Sequence, residues 1–358
     1  MPTALAKLLA SRHAAAQPNP WYDPAKPHTT PRGFRNVHPH EQHTARGLLR
    51  WRWERLWQQL PADPPPGRPV ARVEPEAAFL RANRSEPTLT WIGHDTLLLQ
   101  VCGVNVLTDP QFSERASPLA FLGPRRKVPP ALVPAELPHI EVVLISHNHY
   151  DHLDRDSVRA LQAQQGGPPR FVVPLGMRDW LAGEGIPGAV EQDWWEHTDY
   201  LGLRIHEVPA QHFSQRTPWD RNRVLWGGFV VEHPRLRFYF AGDTGYAPHF
   251  GEIGERLGPI DLAALPIGAY EPRWFMRTMH INPAEAVRAH QDLRARQSVA
   301  MHWGTFELTD EPMDEPPRAL AEALAADGVP PERFRVMGIG ETLRLGPLLR
   351  RAPKDAPR

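Results

Sequence analysis

Three histidines and an aspartate crowd the stretch Ser146-His147-Asn148-His149-Tyr150-Asp151-His152. Upstream runs Ile140-Glu141-Val142-Val143-Leu144-Ile145, a short β-branched apolar run that reads as a buried strand. Downstream, Leu153 to Leu161 reads as a helix start with acidic residues in its first turn. The cluster therefore sits on a strand-to-helix turn. In a continuous strand His147, His149 and Asp151 would share one face; the turn lets Asp151 and His152 swing toward a second centre. Imidazole and carboxylate together suit zinc, iron or manganese. The alternative is a satisfied polar turn carrying surface histidines.

Composition narrows the classes. The 358 residues, 41% hydrophobic and 23% charged, suit one large soluble domain with an extension. A formal net charge of +0 gives no bulk field to recruit nucleic acid. The single cysteine, Cys102, excludes an intramolecular disulfide and a cysteine-based zinc site. No apolar run approaches the about 20 residues a bilayer-spanning helix needs. Met1 to Ala16 carries an apolar run broken by Lys7, a poor secretory signal that reads as a frayed terminus.

Residues 17–45, rich in Pro, His and Asn, read as an extended arm with Trp21 and Tyr22 as its large anchors. In Gly47 to Leu60, the residues Leu49, Trp53, Leu56 and Leu60 share a helical face, with Arg50, Arg52 and Arg55 elsewhere. Two readings stand open for that face: it packs on the main domain, or it lies in a membrane interface. Pro61 to Pro69 reads as a linker. The expected division is an extension over 1–80 and a catalytic domain over 81–350.

From Leu89 to Val101 two strand pieces flank a Gly93-His94 turn, and Val104 to Thr108 is a strand ending on Asp109. Phe112 to Leu137 is a long Pro-rich loop holding Arg125, Arg126 and Lys127. Strand and helix signals then alternate. Strands are expected over Arg170 to Val173, Leu203 to Val208, Leu262 to Ile267 and Ser298 to Met301, and a hairpin over Val224 to Ala241. Gly176 to Ala182 and Pro316 to Ala326 read as helices, and Asn282-Pro283-Ala284-Glu285 opens another. Phe334 to Leu345 is expected to finish the sheet. His212, Asp243 and His302 each follow a strand, so the whole series could meet at one sheet edge.

The pattern His-x-His-x-Asp-His after an apolar strand, followed in order by a lone His, a lone Asp and a lone His, resembles the metallo-β-lactamase superfamily. That resemblance implies an αββα sandwich of two packed sheets flanked by helices. It also implies a ligand set: His147, His149 and His212 for one ion, Asp151, His152 and His302 for the other, with Asp243 bridging. Asp109 matches the superfamily's supporting aspartate, and would orient a ligating histidine; it could also cap the turn before Pro110. Two divalent ions, zinc in the first instance, can activate water near neutral pH and stabilise charge in ester hydrolysis.

A narrower resemblance spans roughly Trp91 to His302. Phe112 to Pro118, Val224 to Gly227, Phe240-Ala241-Gly242-Asp243-Thr244-Gly245-Tyr246 and Pro266 to Met276 look like the N-acylphosphatidylethanolamine-hydrolysing phospholipase D family. The family implies zinc-dependent cleavage of such lipids to phosphatidic acid and N-acylethanolamine. Its histidine near the substrate phosphate matches His280, which could otherwise only cap the following helix. Asp151, Asp243 and His280 would be catalytic, with His280 also binding substrate. The implied partner is a phospholipid or other phosphodiester, in the cytoplasm or at a membrane surface. A lactonase of the ascorbate-phosphate type and a metal-binding protein without catalysis are the competing readings.

Overall fold

The computed structural model describes residues 17–39, 45–57, 70–119 and 121–349. The Lys7-broken run, the Pro61 to Pro69 linker and Leu60 lie outside the described residues. The arm carries a short hairpin, β1 (Thr29–Thr30) and β2 (Gly33–Phe34). Two helices follow, α1 (Ala45–Trp57) and α2 (Ala77–Ala82).

The first large sheet is built from β3 (Thr88–Gly93), β4 (Thr96–Val101), β5 (Val104–Thr108), β6 (Val142–Leu144), β7 (Arg170–Pro174) and β8 (Val190–Gln192). Helices α3 (Arg155–Gln162) and α4 (Arg178–Gly183) link the last three. The second sheet takes β9 (His197–Tyr200), β10 (Leu203–Pro209), β11 (Gly227–His233), β12 (Leu236–Phe240), β13 (Leu262–Pro266) and β14 (Gln297–Met301). Helices α5 (His249–Arg256), α6 (Arg273–Met276), α7 (Pro283–Asp292) and α8 (Glu315–Ala326) pack around it. The final strands β15 (Phe334–Arg335) and β16 (Thr342–Arg344) part company: β15 closes the second sheet beside β14, and β16 pairs with β3 in the first. Phe334 to Leu345 thus finishes both sheets, not one as expected, because the chain crosses over between Val336 and Glu341.

Alternation inside the strands explains the layers. In β3–β4, Leu89, Trp91, Leu97 and Leu99 enter the core between the sheets, while their neighbours Ile92 and Leu98 face the helix side with Val158, Leu161 and Leu181. Both faces are buried, so these strands read as continuous apolar runs. On the far side Ala286, Val287, Leu320 and Leu324 seal the second sheet against α7 and α8. The result is a helix–sheet–sheet–helix sandwich, as the resemblance implied.

The arm is anchored by Trp21 on Phe34, with ring centroids 6.2 Å apart, while Tyr22 stays exposed. Phe34, overlooked as an anchor, is buried. Helix α1 docks through a face the periodicity did not select. Trp51 stacks on Phe275 at 5.4 Å and its Nε1–H donates to Asp310 at 2.9 Å; Arg50 covers the Trp274 ring. Leu49, Trp53, Leu56 and Trp57 point outward, 62–80% exposed. The packing alternative for the Leu49–Trp53–Leu56 face is therefore corrected: that face covers nothing among the described residues.

Candidate metal centre

The site lies where the two sheets abut. His94 and Asp95 come from the β3–β4 turn, Asp109 from the end of β5 and His147–His152 from the turn after β6. His212, Asp243 and His302 follow β10, β12 and β14 of the other sheet, and His280 precedes α7. The ligand series thus joins the edges of two sheets, where a single edge was expected. Gly242 makes the join possible. It sits at φ +58, and a Cβ there would lie 2.5 Å from that of Ser146, so only glycine lets the Asp243 turn reach the histidine motif. The Gly227 amide also donates to the Ser146 carbonyl across the join.

Two groups of side chains converge. In the first, His147, His149, His212 and Asp243 bring their ligand atoms within 4.8 Å of one another. His149 Nδ1 lies 2.8 Å from His147 Nε2 and 3.2 Å from His212 Nε2, close to the ~3.3 Å spacing of nitrogens around a tetrahedral ion. In the second, His94, Asp151, His152 and His302 meet the same limit, as do Asp95, His152, Asp243 and His302. Asp243 belongs to both neighbourhoods. Its Oδ2 lies 3.2 Å from His152 Nε2 and 3.7 Å from His212 Nε2, and its Oδ1 3.0 Å from His302 Nε2.

Hydrogen bonds behind the rings fix which nitrogen faces inward. Ser146 donates its hydroxyl to Asp109 Oδ2 at 2.6 Å, so its oxygen is left to accept from His147 Nδ1–H at 2.9 Å. His212 Nδ1–H donates to the Met279 carbonyl at 3.0 Å, and His152 Nδ1–H to Asp109 Oδ2 at 2.7 Å. Each ring thereby turns its Nε2 to the centre. The Asp109 carboxylate is committed to Ser146 and His152, not to the turn before Pro110. His94, Asp109 and His302 hold φ of 53, 30 and 59. Such non-glycine strain costs about 1–3 kcal/mol each and concentrates at functional sites.

Electrostatics sharpen the picture. Burial lowers the His147 and His212 imidazoles well below their ordinary value, so both are neutral. Burial alone would raise the Asp243 carboxyl, but His302 and His152 outweigh it and hold it well below the usual range. His152 Nε2, His302 Nε2 and Asp243 Oδ1 are buried without hydrogen-bond partners, although His302 Nε2 lies 3.0 Å from Asp243 Oδ1 and His152 Nε2 lies 3.2 Å from Asp243 Oδ2. Buried polar atoms so close, yet not bonded to one another, are arranged as ligand lone pairs are around an ion. The residues therefore fit a metal.

His280 stands beside this set. The residue is 9% exposed, and Nδ1, itself without a hydrogen bond, lies 3.9 Å from Asp243 Oδ2. Burial lowers its pKa to about 4. It does not cap α7: Asn282 and Glu285 form a reciprocal capping box there.

Two site residues escaped the sequence reading. His94 Nε2 is 3.2 Å from Asp151 Oδ2. Asp95, with both carboxylate oxygens unpartnered, lies 3.4 Å from His152 Nδ1, and burial raises its carboxyl to about 7. The available signal was two ionisable residues in a hairpin otherwise buried and largely apolar.

Comparison with known proteins agrees with the geometry. Residues 104–303 match the model of the beta-lactamase superfamily domain. The chain is 42% identical over 264 residues to an N-acyl-phosphatidylethanolamine-hydrolyzing phospholipase D of Caenorhabditis elegans, covering 70% of this chain and 74% of that one. It is 36% identical over 260 residues to the mitochondrial enzyme of that name in Saccharomyces cerevisiae, covering 71% of this chain and 55% of that one. A solved structure of the same fold is the metallo hydrolase Igni18 of Ignicoccus hospitalis, with TM-score 0.54, 23% identity and 72% of this chain and 98% of that one covered. The chain belongs to the metallo-β-lactamase superfamily of metal-dependent hydrolases and, within it, to the N-acylphosphatidylethanolamine-hydrolysing phospholipase D-like family.

Proposed function

We propose that this protein is a two-zinc phosphodiesterase of phospholipase D type, cleaving N-acylphosphatidylethanolamine-like lipids to phosphatidic acid and N-acylethanolamine. The observation that carries the reading is His280, whose Nδ1 has no hydrogen bond and lies beside Asp243 at the junction of the two ligand groups. His147, His149 and His212 would hold one ion, Asp151, His152 and His302 the other, and Asp243 both. Bound there, zinc polarises phosphoryl oxygens and lowers the pKa of water. Asp109 and Ser146 keep the protons of His152 and His147 on the outward nitrogens. Neutral near pH 7, the His280 ring offers an N–H to a phosphoryl oxygen or to the leaving alkoxide. Water oxygen bonds to phosphorus and gives up a proton, the phosphorus–oxygen bond to the ethanolamine arm breaks, and the departing oxygen takes up a proton, so that the His280 ring is neutral before and after the step.

Helix α1 supports a lipid substrate. It packs on Phe275 beside Met276 and Met279, in a cluster that includes Phe213, and Phe213 lies edge-on to His149 at 4.5 Å. Its outer face combines Leu49, Trp53, Leu56 and Trp57 with the exposed Arg46 and Arg52, a composition suited to an anionic interface. The same reading assigns 1–80 to positioning and 81–350 to chemistry. Deleting the extension would be a poor test, because Asn36 bonds both backbone groups of His212. Point changes at Leu49, Trp53, Leu56 and Trp57 are cleaner: vesicle binding should fall while a soluble diester is still cleaved.

The decisive experiment incubates zinc-loaded protein with N-acylphosphatidylethanolamine in ¹⁸O water and analyses the products by mass spectrometry. The label should appear in phosphatidic acid and not in N-acylethanolamine. Turnover of lactones with no phosphodiester cleaved would instead establish the lactonase reading, and no turnover of either would leave a metal-binding protein.

A further inference from the structure

His94 lies inside the metal centre but outside the two ligand groups assigned to the ions. It occupies the β3–β4 turn between Gly93 and Asp95, at φ 53, and is buried. Its backbone is pinned at both polar atoms. The amide donates to Thr305 Oγ1 at 3.0 Å. The carbonyl accepts from the Trp91 indole at 2.8 Å and from the His302 amide at 3.5 Å. Two of these three anchors come from the segment that carries His302. The ring is wedged there as well, 4.3 Å from the His302 ring and perpendicular to Phe306 at 5.2 Å between centroids.

Held in this way, His94 Nε2 lies 3.2 Å from Asp151 Oδ2, in hydrogen-bonding geometry. The same oxygen is 3.3 Å from His152 Nε2 and 3.6 Å from His302 Nε2, and neither of those nitrogens makes a hydrogen bond. His152 and His302 are thus placed as fellow ligands of Asp151, and His94 as a donor to it. A carboxylate bound to a cation is ionised and only accepts, so the proton in the 3.2 Å contact belongs to His94 Nε2. Such a donor decides which lone pairs of Asp151 are left for an ion, since a free carboxylate can turn either oxygen toward it. His94 touches Asp151, His152 and His302, all of one ligand group.

We propose that His94 is a positioning residue for the second ion: its Nε2–H fixes the Asp151 carboxylate toward His152 and His302, and its backbone ties that hold to the His302 segment. The proposal rests on the two-zinc reading for the assignment of ligands to ions.

The test compares two variants by chelator competition on zinc-loaded, full-length protein. The ion that His302→Ala removes marks the second site. His94→Phe keeps a ring between His302 and Phe306 and removes the N–H. His94→Gln supplies an amide N–H in its place. Both are checked for an unchanged thermal midpoint without metal. In His94→Phe the second ion should be held about 10–100-fold more weakly, with the first unchanged. His94→Gln should recover most of that loss. With cobalt(II) in place of zinc, His94→Gln should keep the parent's visible absorption, because the ligand set is the same. Equal weakening in both variants together with altered cobalt absorption would make His94 a ligand and overturn the proposal. Both ions weakened alike, or neither, would overturn it too and leave a packing residue. A parent that binds a single ion would fail the two-zinc reading instead. The role of His94 would then stand only if His94→Phe weakens that ion and His94→Gln restores it.

Discussion

In the first sheet one strand, β6, is followed by His147, His149, Asp151 and His152 together, whereas β10, β12 and β14 of the second sheet each end on a single site residue. The two sheets nevertheless share a plan. In each, pairing changes from antiparallel to parallel at one strand, β5 in the first and β12 in the second. Each of those strands runs into an aspartate, Asp109 or Asp243. The two carboxylates occupy equivalent stations and do opposite jobs. Asp109 is hydrogen-bonded to Ser146 and His152, and burial raises its carboxyl. Asp243 has an oxygen with no hydrogen bond and is held in its charged form by the histidines around it. What separates an orienting carboxylate from a candidate ligand here is the company it keeps, not its place in the sheet.

The harshest test of that contrast is Asp243→Asn. It should remove both ions and lower turnover by more than about 100-fold, beyond what partners behind the ligands command. His302→Ala should lose only the ion on its own side. Metal content per chain, measured alongside turnover, distinguishes the two; an Asp243→Asn protein that keeps both ions would break the bridging role. His280→Ala comes next. Both ions should stay bound while lipid turnover falls by about 10²-fold or more. If the loss shrinks for a nitrophenyl phosphodiester, the ring serves the leaving group; if it is equal, it binds phosphate. Normal lipid turnover would remove His280 from the mechanism.

Legibility followed the same division. The dense motif after β6 announced itself, because ligand residue types rarely crowd so closely. His212, Asp243 and His302 were legible only as an ordered series, since each alone is an ordinary polar residue after a strand. His94 and Asp95 were missed because they lie in a two-residue turn, and only the strand order of the first sheet, with β5 alone between β4 and β6, brings that turn to Asp151 and His152. The crossover between β15 and β16 was hidden for a related reason: periodicity reports that a strand exists, not which sheet accepts it. Helix α1 was expected where it lies, but its spacing only grouped Leu49, Trp53 and Leu56 on one face and left open whether that face packs inward. Trp51, with a partner for its N–H in Asp310, won that contact instead.

Asp109→Asn probes the orienting station. Asp109 meets His152 directly and His147 through Ser146, so the change should weaken both ions by about 10–100-fold in chelator competition. Ser146→Ala should weaken only the ion of the His147 group. Equal effects of the two changes on both ions would mean that the relay through Ser146 is not what orients His147.

The smallest expected effect concerns a third buried carboxyl, Glu207 on β10. Like Asp243 it is buried in the second sheet, but both its oxygens lack partners and no histidine compensates it. Burial pushes its pKa well above the ordinary value, and Asp193, Glu196 and Glu191 push the same way. The folded protein therefore holds the proton at a pH where the unfolded chain has released it. Stability is unaffected below the unfolded pKa of about 4.3, and it declines as pH rises through the window up to the raised folded value. Glu207→Gln cannot ionise, so it should be spared that decline. The difference in thermal midpoint, variant minus parent, should grow by about 2 °C or more between pH 5.5 and 8.5. Taking the difference cancels the pH dependence of metal binding, which both proteins share. The amide brings donors with no partner of their own, so the variant can be the less stable protein at pH 5.5. The slope of the difference with pH, not its sign at one pH, is the diagnostic. A flat difference would mean that Glu207 is ionised in the folded state and that the second sheet stabilises its charge there, as it does for Asp243.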